Sequence, residues 1–347
     1  MTSSINVFIV DDSAFMRQVI TKILHQDKHL KVIGRARNGK EALERIPILK
    51  PDVVTLDIEM PVMDGLETLE RLKKLYPVPV IMLSSLTQKG ARVTMRALEL
   101  GAVDFIPKPS EKKDFDSLAN ELPAKVKLAA TVDVAAKISV PAKPRPARAK
   151  LLQAENIELV IIGTSTGGPS ALQQVIPKLP KDLPAGVLII QHMPKGFTKA
   201  LAERLNQHSQ LAVREAQNGD VLEPGTALVA PAGTQTLLRR WGSRAKVALK
   251  DETPIPTHFR PSVDVTMLSA AKIFGGSILG VIMTGMGNDG VRGLEKVKEH
   301  GGKALAEAEE TCVVFGMPRA AIQAGLIDEV QPLHRLAGRI IDVVKKS

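Results

Sequence analysis

The chain has 347 residues, a formal net charge of +10, a single cysteine and 3% aromatic residues. Its length favours two domains and its composition an α/β protein with sizeable cores. No apolar run approaches the roughly 18 residues of a membrane span, "MTSSINVFIVDDS" lacks the basic leader of a secretory signal, and the lone Cys312 excludes an intrachain disulfide and points to a reducing cytoplasm.

Net charge of this size can mean nucleic acid, but it is not spread over a folded face. Residues 123–154 hold seven Lys/Arg against one Asp/Glu, whereas 1–122 and 155–347 are nearly balanced. The basic stretch contains "PAKPRPARAK" (141–150), which resists a packed fold and reads as a semi-rigid linker. The expected division is a first domain over 1–122, a basic Pro/Ala-rich linker over 123–155, and a second domain over 156–347. Scarce aromatic residues leave no stacking platform for single strands.

In chain order, "INVFIV" predicts a strand ending at Asp11 and Asp12, followed by a helix with Ser13 as N-cap and Phe15, Val19 and Ile23 on one face. "KVIGRA" and "NGKEALERIPIL" repeat strand and helix, and "PDVVTLDI" is a strand ending at Asp57. "DGLETLERLKKL" is helical, "VPVIMLSS" a strand ending at Ser84, "ARVTMRALELG" helical, and "VDFIPKP" a strand ending at Lys108. This βα alternation predicts a doubly wound parallel sheet. Asp11, Asp12, Asp57, Ser84 and Lys108 then share the crevice at the carboxyl ends of the strands. Three carboxylates at close range repel unless a cation joins them, and Mg²⁺ suits an all-oxygen site.

These residues resemble a response-regulator receiver domain over residues 5 to about 122, through "VDDS", "LDIEMPVMDG", "LSS" and "PKP". The resemblance implies a flavodoxin-like receiver in which Asp57 accepts a phosphoryl group from a histidine kinase. It implies that Asp11 and Asp12 help to hold Mg²⁺ with Asp57, and that Ser84 and Lys108 contact the phosphoryl group. Phe105 takes the aromatic switch position, and Lys108–Pro109 is a candidate cis peptide.

Beyond the linker the alternation restarts. "ELVIIG" is a strand, "GPSALQQVIPKL" a helix, "GVLIIQHMP" a strand and "TKALAERLNQHS" a helix. Residues 212–250 read as a β-meander, "PSVDVTMLSAAKIF" as a helix, and "GSILGVIMTGMGNDG" as a strand entering a second glycine-rich loop. "VRGLEKVKEHGG" is helical, "KALAEAEETCVVFG" strand and loop, "PRAAIQAG" a short helix, and "LHRLAGRIIDVVKK" an amphipathic helix. The expected fold is a second, Rossmann-like, mostly parallel doubly wound sheet with an inserted meander.

Ser165, His192 and Asp289 each follow the carboxyl end of a predicted strand, and the first two belong to one βαβ pair. Neighbouring parallel strands lie about 4.8 Å apart, so one rim gathers a hydroxyl, an imidazole and a carboxylate. That set performs nucleophilic acyl transfer. Gly163-Thr164-Ser165-Thr166-Gly167 also fits G-x-S-x-G between strand and helix, although the order Ser, His, Asp differs from α/β-hydrolases. A phosphate-cradling loop is the rival reading, but no Walker lysine and no G-x-G-x-x-G follow. The oxyanion is expected on backbone N–H groups after Ser165, at Thr166, and near Met286. His258 reads as binding or structural, Asp264 as a helix cap before an orienting acid, and Cys312 as a buried inert thiol. His25, His29, His208, His300 and His334 read as surface residues, and Met283 with Met286 as pocket lining.

A receiver, a basic linker, then "GTSTGGPSAL", "QHMP", "HFRPSVDV" and "MTGMGNDG" together resemble the chemotaxis protein-glutamate methylesterase (CheB) family over nearly the whole chain. The resemblance implies hydrolysis of glutamate γ-methyl esters on methyl-accepting chemotaxis receptors, with release of methanol, and deamidation of receptor glutamines. It implies Ser165, His192 and Asp289 as the catalytic set, no cofactor at the esterase site, and the chemotaxis histidine kinase as phosphodonor. By the same analogy the unphosphorylated receiver hinders the catalytic rim, and phosphorylation at Asp57 repositions Ser84 and Phe105. Expected partners are therefore receptors and kinase in the cytoplasm, with no nucleic acid and no membrane insertion. Two alternatives stay open: a DNA-binding output domain, and a nucleotide binder using "GTSTGG".

Overall fold

Strand and helix alternate through most of the structure, a computed structural model that describes residues 4–132 and 156–345 except 243 and 254. The segment "PAKPRPARAK" lies outside the described residues. The chain divides into two units, Met1–Arg145 and Pro146–Ser347.

The first unit runs β1 (Ile5–Val10), α1 (Ala14–His25), β2 (Leu30–Ala36), α2 (Gly39–Leu49), β3 (Val53–Asp57), α3 (Gly65–Leu75), β4 (Val80–Ser84), α4 (Gln88–Glu99), β5 (Asp104–Pro107) and α5 (Lys112–Ala129). All strand pairs are parallel, in the order β2-β1-β3-β4-β5. Helices cover both faces, so β3 and β4 are buried along their whole length and read as continuous rather than alternating apolar runs. Helix starts are fixed by side-chain caps: Ser13, Asn38, Asp64 and Thr87 each accept the N–H three residues on.

Two sequence expectations shift here. The buried face of α1 is Met16, Ile20, Ile23 and Leu24, and Phe15 is 61% exposed. Phe15 instead meets Phe115 of α5 edge-on at a centroid distance of 6.1 Å, a surface pair that the apolar spacing alone does not separate from the core. Helix α5 also continues through Pro123, making 123–129 helical although the sequence placed them in the linker. Leu118, Leu122, Val126 and Ala129 form one buried stripe, and its burial outweighs the hydrogen bond the proline removes.

The second unit runs β6 (Leu159–Thr164), α6 (Gly168–Val175), β7 (Gly186–Gln191), α7 (Thr198–His208), β8 (Ala212–Glu215), β9 (Thr226–Val229), β10 (Gln235–Trp241), β11 (Arg244–Lys250) and α8 (Val263–Phe274). It continues with β12 (Ile278–Ile282), α9 (Val291–Glu299), β13 (Lys303–Glu307), α10 (Met317–Gln323), β14 (Glu329–Gln331) and α11 (Leu333–Lys345). Seven parallel strands form the order β14-β13-β12-β6-β7-β9-β8. Every residue of β6, β7 and β12 is buried.

The expected meander over 212–250 resolves into two things. β8 and β9 pair parallel with each other, and β9 extends the main sheet beside β7. Only β10 and β11 form an antiparallel hairpin. The loop between β8 and β9 lies against that hairpin, with Leu222 N–H donating to Ala245 O and Val247 N–H to Asp220 O. The crossover between these parallel strands is thus a loop held by the hairpin and not the usual helix, which strand propensity alone does not reveal.

Candidate active site and carboxylate cluster

The chain leaves β6 toward β7 on one side and returns through β12 on the other, so the ends of β6, β7 and β12 form the topological switch point of the sheet. Thr164 pairs with Gln191 at the ends of β6 and β7, which sets Ser165 and His192 side by side. His192 N–H donates to Thr164 O (3.0 Å), and Ser165 N–H donates to Thr284 O (3.0 Å) beyond β12. Gln191 Nε2 donates to both Ser165 O and His192 O at 2.8 Å, stitching the two loops together.

Gly167, with φ of +78°, turns the chain into α6. A side chain at Gly285 would put Cβ 2.9 Å from Ser165 Cβ and 2.4 Å from Met317 Sδ, so only glycine lets these loops approach. Two N–H groups a phosphate would need, those of Ser165 and Gly168, already donate to Thr284 O and Ser165 O.

His192 Nε2 lies 2.7 Å from Asp289 Oδ2, and both side chains are largely buried. A carboxylate only accepts, so Nε2 carries the proton and Nδ1, buried without a hydrogen-bond partner, carries the lone pair. Phe259 stacks on the imidazole at a centroid distance of 4.1 Å and an interplanar angle of 4°. Asp289 also accepts the Ser262 hydroxyl (2.8 Å) and the N–H groups of Val263 (2.7 Å) and Asp264 (3.1 Å). Burial opposes its charge, but the hydrogen bond from His192, with the Val263 N–H and the Ser262 hydroxyl, holds Asp289 below the usual carboxylate range. It is a fixed anion at the far side of the imidazole.

In the first unit, ligand oxygens of Asp11, Asp12 and Asp57 all lie within 4.8 Å of one another. Lys108 Nζ reaches Asp57 Oδ2 at 2.6 Å and Asp11 Oδ2 at 2.9 Å. Burial pushes Asp57 up to about 6, against the opposing effect of Lys108 and with some help from Asp11. Lys108 is raised: burial disfavours its charge, but Asp57 and Asp11 outweigh that. One ammonium does not balance three carboxylates, and an all-oxygen donor set fits a hard divalent cation such as Mg²⁺.

Residues 160–340 match the CheB methylesterase family and residues 7–120 the response regulator receiver domain. The chain is 48% identical over 351 residues to the protein-glutamate methylesterase/protein-glutamine glutaminase of Halalkalibacterium halodurans, covering all of both chains. It is 45% identical over 420 residues to the protein of that description from Moorella thermoacetica, covering 99% of each. A crystal structure of the CheB methylesterase catalytic domain of Thermotoga maritima has a TM-score of 0.53 and 43% identity, covering 55% of this chain and all of that one. The chain belongs to the CheB methylesterase family.

As a CheB-family protein it joins a methylesterase domain to a receiver domain, both α/β with parallel sheets. The residues singled out in the sequence take the following places in the structure. The Ser84 hydroxyl accepts from Thr94 Oγ1 (2.6 Å) and faces Gly90 O, so it engages α4 rather than the carboxylates. Phe105 is buried. Among the described residues the one cis peptide is Arg260–Pro261, not Lys108–Pro109. Thr166 is buried, and its carbonyl accepts the Thr284 hydroxyl (2.9 Å). Met283 lies in the core while Met286 is 49% exposed, so the two do not line one wall. His25, His29, His208, His258, His300 and His334 are exposed, and Cys312 is buried. Asp264 caps a helix, but it is α9 rather than its own.

Sequence reasoning missed Gln191, Phe259, Ser262, Thr284 and Glu307. Glu307 is fully buried and accepts Thr284 N–H at 2.9 Å, fixing the residue whose carbonyl holds Ser165. "HFRPSVDV" flagged the 258–265 segment, but nothing in the string says that its start stacks on one catalytic candidate and its serine binds another. No helix among the described residues is long and apolar enough to cross a membrane.

Proposed function

We propose that Ser165, His192 and Asp289 hydrolyse glutamate γ-methyl esters on chemotaxis receptors and deamidate receptor glutamines by one acyl-enzyme route. The pairing of His192 Nε2 with Asp289 Oδ2 at 2.7 Å, one residue beyond the strand end beside Ser165, carries this reading. His192 Nδ1 takes the Ser165 proton as Oγ attacks the ester carbonyl, forming a tetrahedral oxyanion. Backbone N–H groups at Thr166 and Met286 receive the oxyanion. The same imidazole returns the proton to the leaving methoxide, which departs as methanol, or to the leaving amine, which departs as ammonia. Water attacks the acyl-enzyme with His192 as base and regenerates Ser165.

In this reading Asp57 accepts a phosphoryl group from the chemotaxis histidine kinase, and its phosphorylation raises esterase activity. Asp11, Asp12 and Asp57 would hold Mg²⁺, which when bound supplies positive charge against the phosphoryl oxygens. Lys108, already paired with Asp57 and Asp11, offers a second cation to the same oxygens. Ser84, at the end of β4, and Phe105, within β5, respond. The single cysteine suits a cytoplasmic protein.

The test is methanol release from methylated receptor membranes, with and without acetyl phosphate and Mg²⁺. Release that depends on Ser165 and rises with the phosphodonor is expected. Absence of release, or release unchanged in Ser165→Ala, refutes the reading.

A further inference from the structure

Asp264 and Asp289 cap each other's helices. Asp289 directly precedes Gly290, the N-cap of α9, and its carboxylate takes the Ser262 hydroxyl and the first N–H groups of α8. In return Asp264, in the first turn of α8, accepts Gly290 N–H (2.9 Å) and Gly293 N–H (2.8 Å) on a single oxygen, Oδ1. Gly290 has no side chain to cap α9, and α9 has no acidic residue in its first turn. The cap that Gly290 cannot supply therefore comes from α8, across the helix pair.

We propose that Asp264 is a positioning residue for the esterase reaction: its Oδ1 locks the start of α9 to the start of α8 and so fixes Asp289 against His192. The inference rests on the hydrolase reading of Ser165, His192 and Asp289. Geometry favours positioning over direct contact. No hydrogen bond of Asp264 reaches His192, while its backbone N–H holds Asp289 Oδ1 at 3.1 Å. Asp264 is 7% exposed and Asp289 5%, so neither orphaned N–H would be rescued cheaply by water. Gly293 packs so closely that an added Cβ would lie 2.6 Å from Met267 Cβ and 3.1 Å from Asp264 Cα, leaving the α8–α9 junction little slack. A shift of Asp289 by about an ångström is enough to cost roughly 100-fold in rate.

The experiment compares full-length D264A and D264N with wild type for methanol release from methylated receptor membranes, reading kcat and KM separately. D264N keeps an oxygen at Oδ1, so both N–H groups retain their acceptor. The expected result is kcat down about 100-fold in D264A with KM within about twofold, and kcat within about threefold of wild type in D264N. A merely structural role would lower the folded fraction of D264A without splitting kcat from KM in the folded protein. A folded D264A with wild-type kcat overturns the proposal, as does D264N losing activity to the extent of D264A. If D264A does not fold, D264N decides alone: retained kcat supports the clasp and a 100-fold loss overturns it. S165A, assayed alongside, separates the two readings. Turnover by S165A removes the serine hydrolase itself, whereas full activity in D264A beside an inactive S165A removes only the role of Asp264.

Discussion

His192 faces Asp289 through Nε2, at 2.7 Å, and leaves Nδ1 as the only ring nitrogen able to act as a base. The carboxylate therefore sets the tautomer as well as the orientation. Asp289→Asn presents an amide in its place, whose NH₂ group can donate to the ring and favour the opposite tautomer. We expect kcat to fall roughly 10⁴-fold in protein that still folds but is about 1–3 kcal/mol less stable, because the NH₂ also faces the buried Val263 N–H that Oδ2 accepts. Methanol release and circular dichroism read the two, and a rate loss under tenfold contradicts the assignment.

Ser165→Ala removes the hydroxyl at a partly buried bend whose backbone is held by Thr284 O and Gln191 Nε2. Because those bonds involve only main-chain atoms of Ser165, the variant should melt within about 0.5 kcal/mol of wild type, as a substitution away from packing does. Activity should fall by roughly 10⁴-fold or more. A serine-directed phosphonate should label wild type and fail to label the variant.

Gly285→Ala tests the close approach of the two glycine-rich loops. A new Cβ 2.9 Å from Ser165 Cβ and 2.4 Å from Met317 Sδ forces one of them to move. Overpacking of this kind costs about 1–3 kcal/mol, and displacement of Ser165 adds a drop in kcat of roughly 100-fold. Chemical denaturation and kinetics measured on one preparation distinguish the two effects.

Stability should depend on pH through Asp264. Burial is the main cause that pushes its folded value up to about 6, with Asp289 adding to it and the Gly293 and Gly290 N–H groups opposing it, against an ordinary 3.8. A carboxyl with a raised folded value binds its proton more tightly when native, so stability from this group falls as pH rises from about 3.8 through about 6. Asp264→Asn removes that loss. Its stability relative to wild type should therefore rise between pH 5 and pH 8 by about 1 kcal/mol. A difference that is flat or falls with pH would contradict the origin assigned to the shift.

The carboxylate cluster predicts a response to Mg²⁺. Lys108 pairs with Asp11 and Asp57 of the three clustered carboxylates, so the divalent ion should stabilise the receiver against melting, by about 2.7 kcal/mol at 100 times its dissociation constant. Asp12→Asn should weaken this response. Asp57→Asn should keep basal esterase activity but gain nothing from acetyl phosphate, and any stimulation of that variant would move the acceptor elsewhere.

How far the sequence reaches differs between the scaffold and the site. The central strands of both sheets are legible because buried parallel strands are uninterrupted apolar runs, as in "LVIIG" and "VIMLS", whereas the short edge strand β14, "EVQ", carries no such run and escaped the sequence reading. The polar residues that end them are legible for the same reason: position after a strand end implies the shared rim. Phe15 misleads because period alone does not choose between two adjacent stripes of α1. The parallel pairing of β8 with β9 is illegible because strand propensity carries no direction. Gln191, Thr284 and Glu307 look like ordinary strand-end residues until the loops are folded over them.

By itself the sequence determined two α/β units, the switch-point rims, and the residue types gathered there, because apolar period and strand-end position are local properties of a string. Tertiary structure alone decided which imidazole nitrogen meets Asp289, that Phe259 covers the ring, that Ser84 turns to α4, and that Asp264 caps α9 from another helix. Those facts depend on contacts between segments 10 to 97 residues apart, whose geometry is set by packing and hydrogen-bond satisfaction and not by any neighbouring residue.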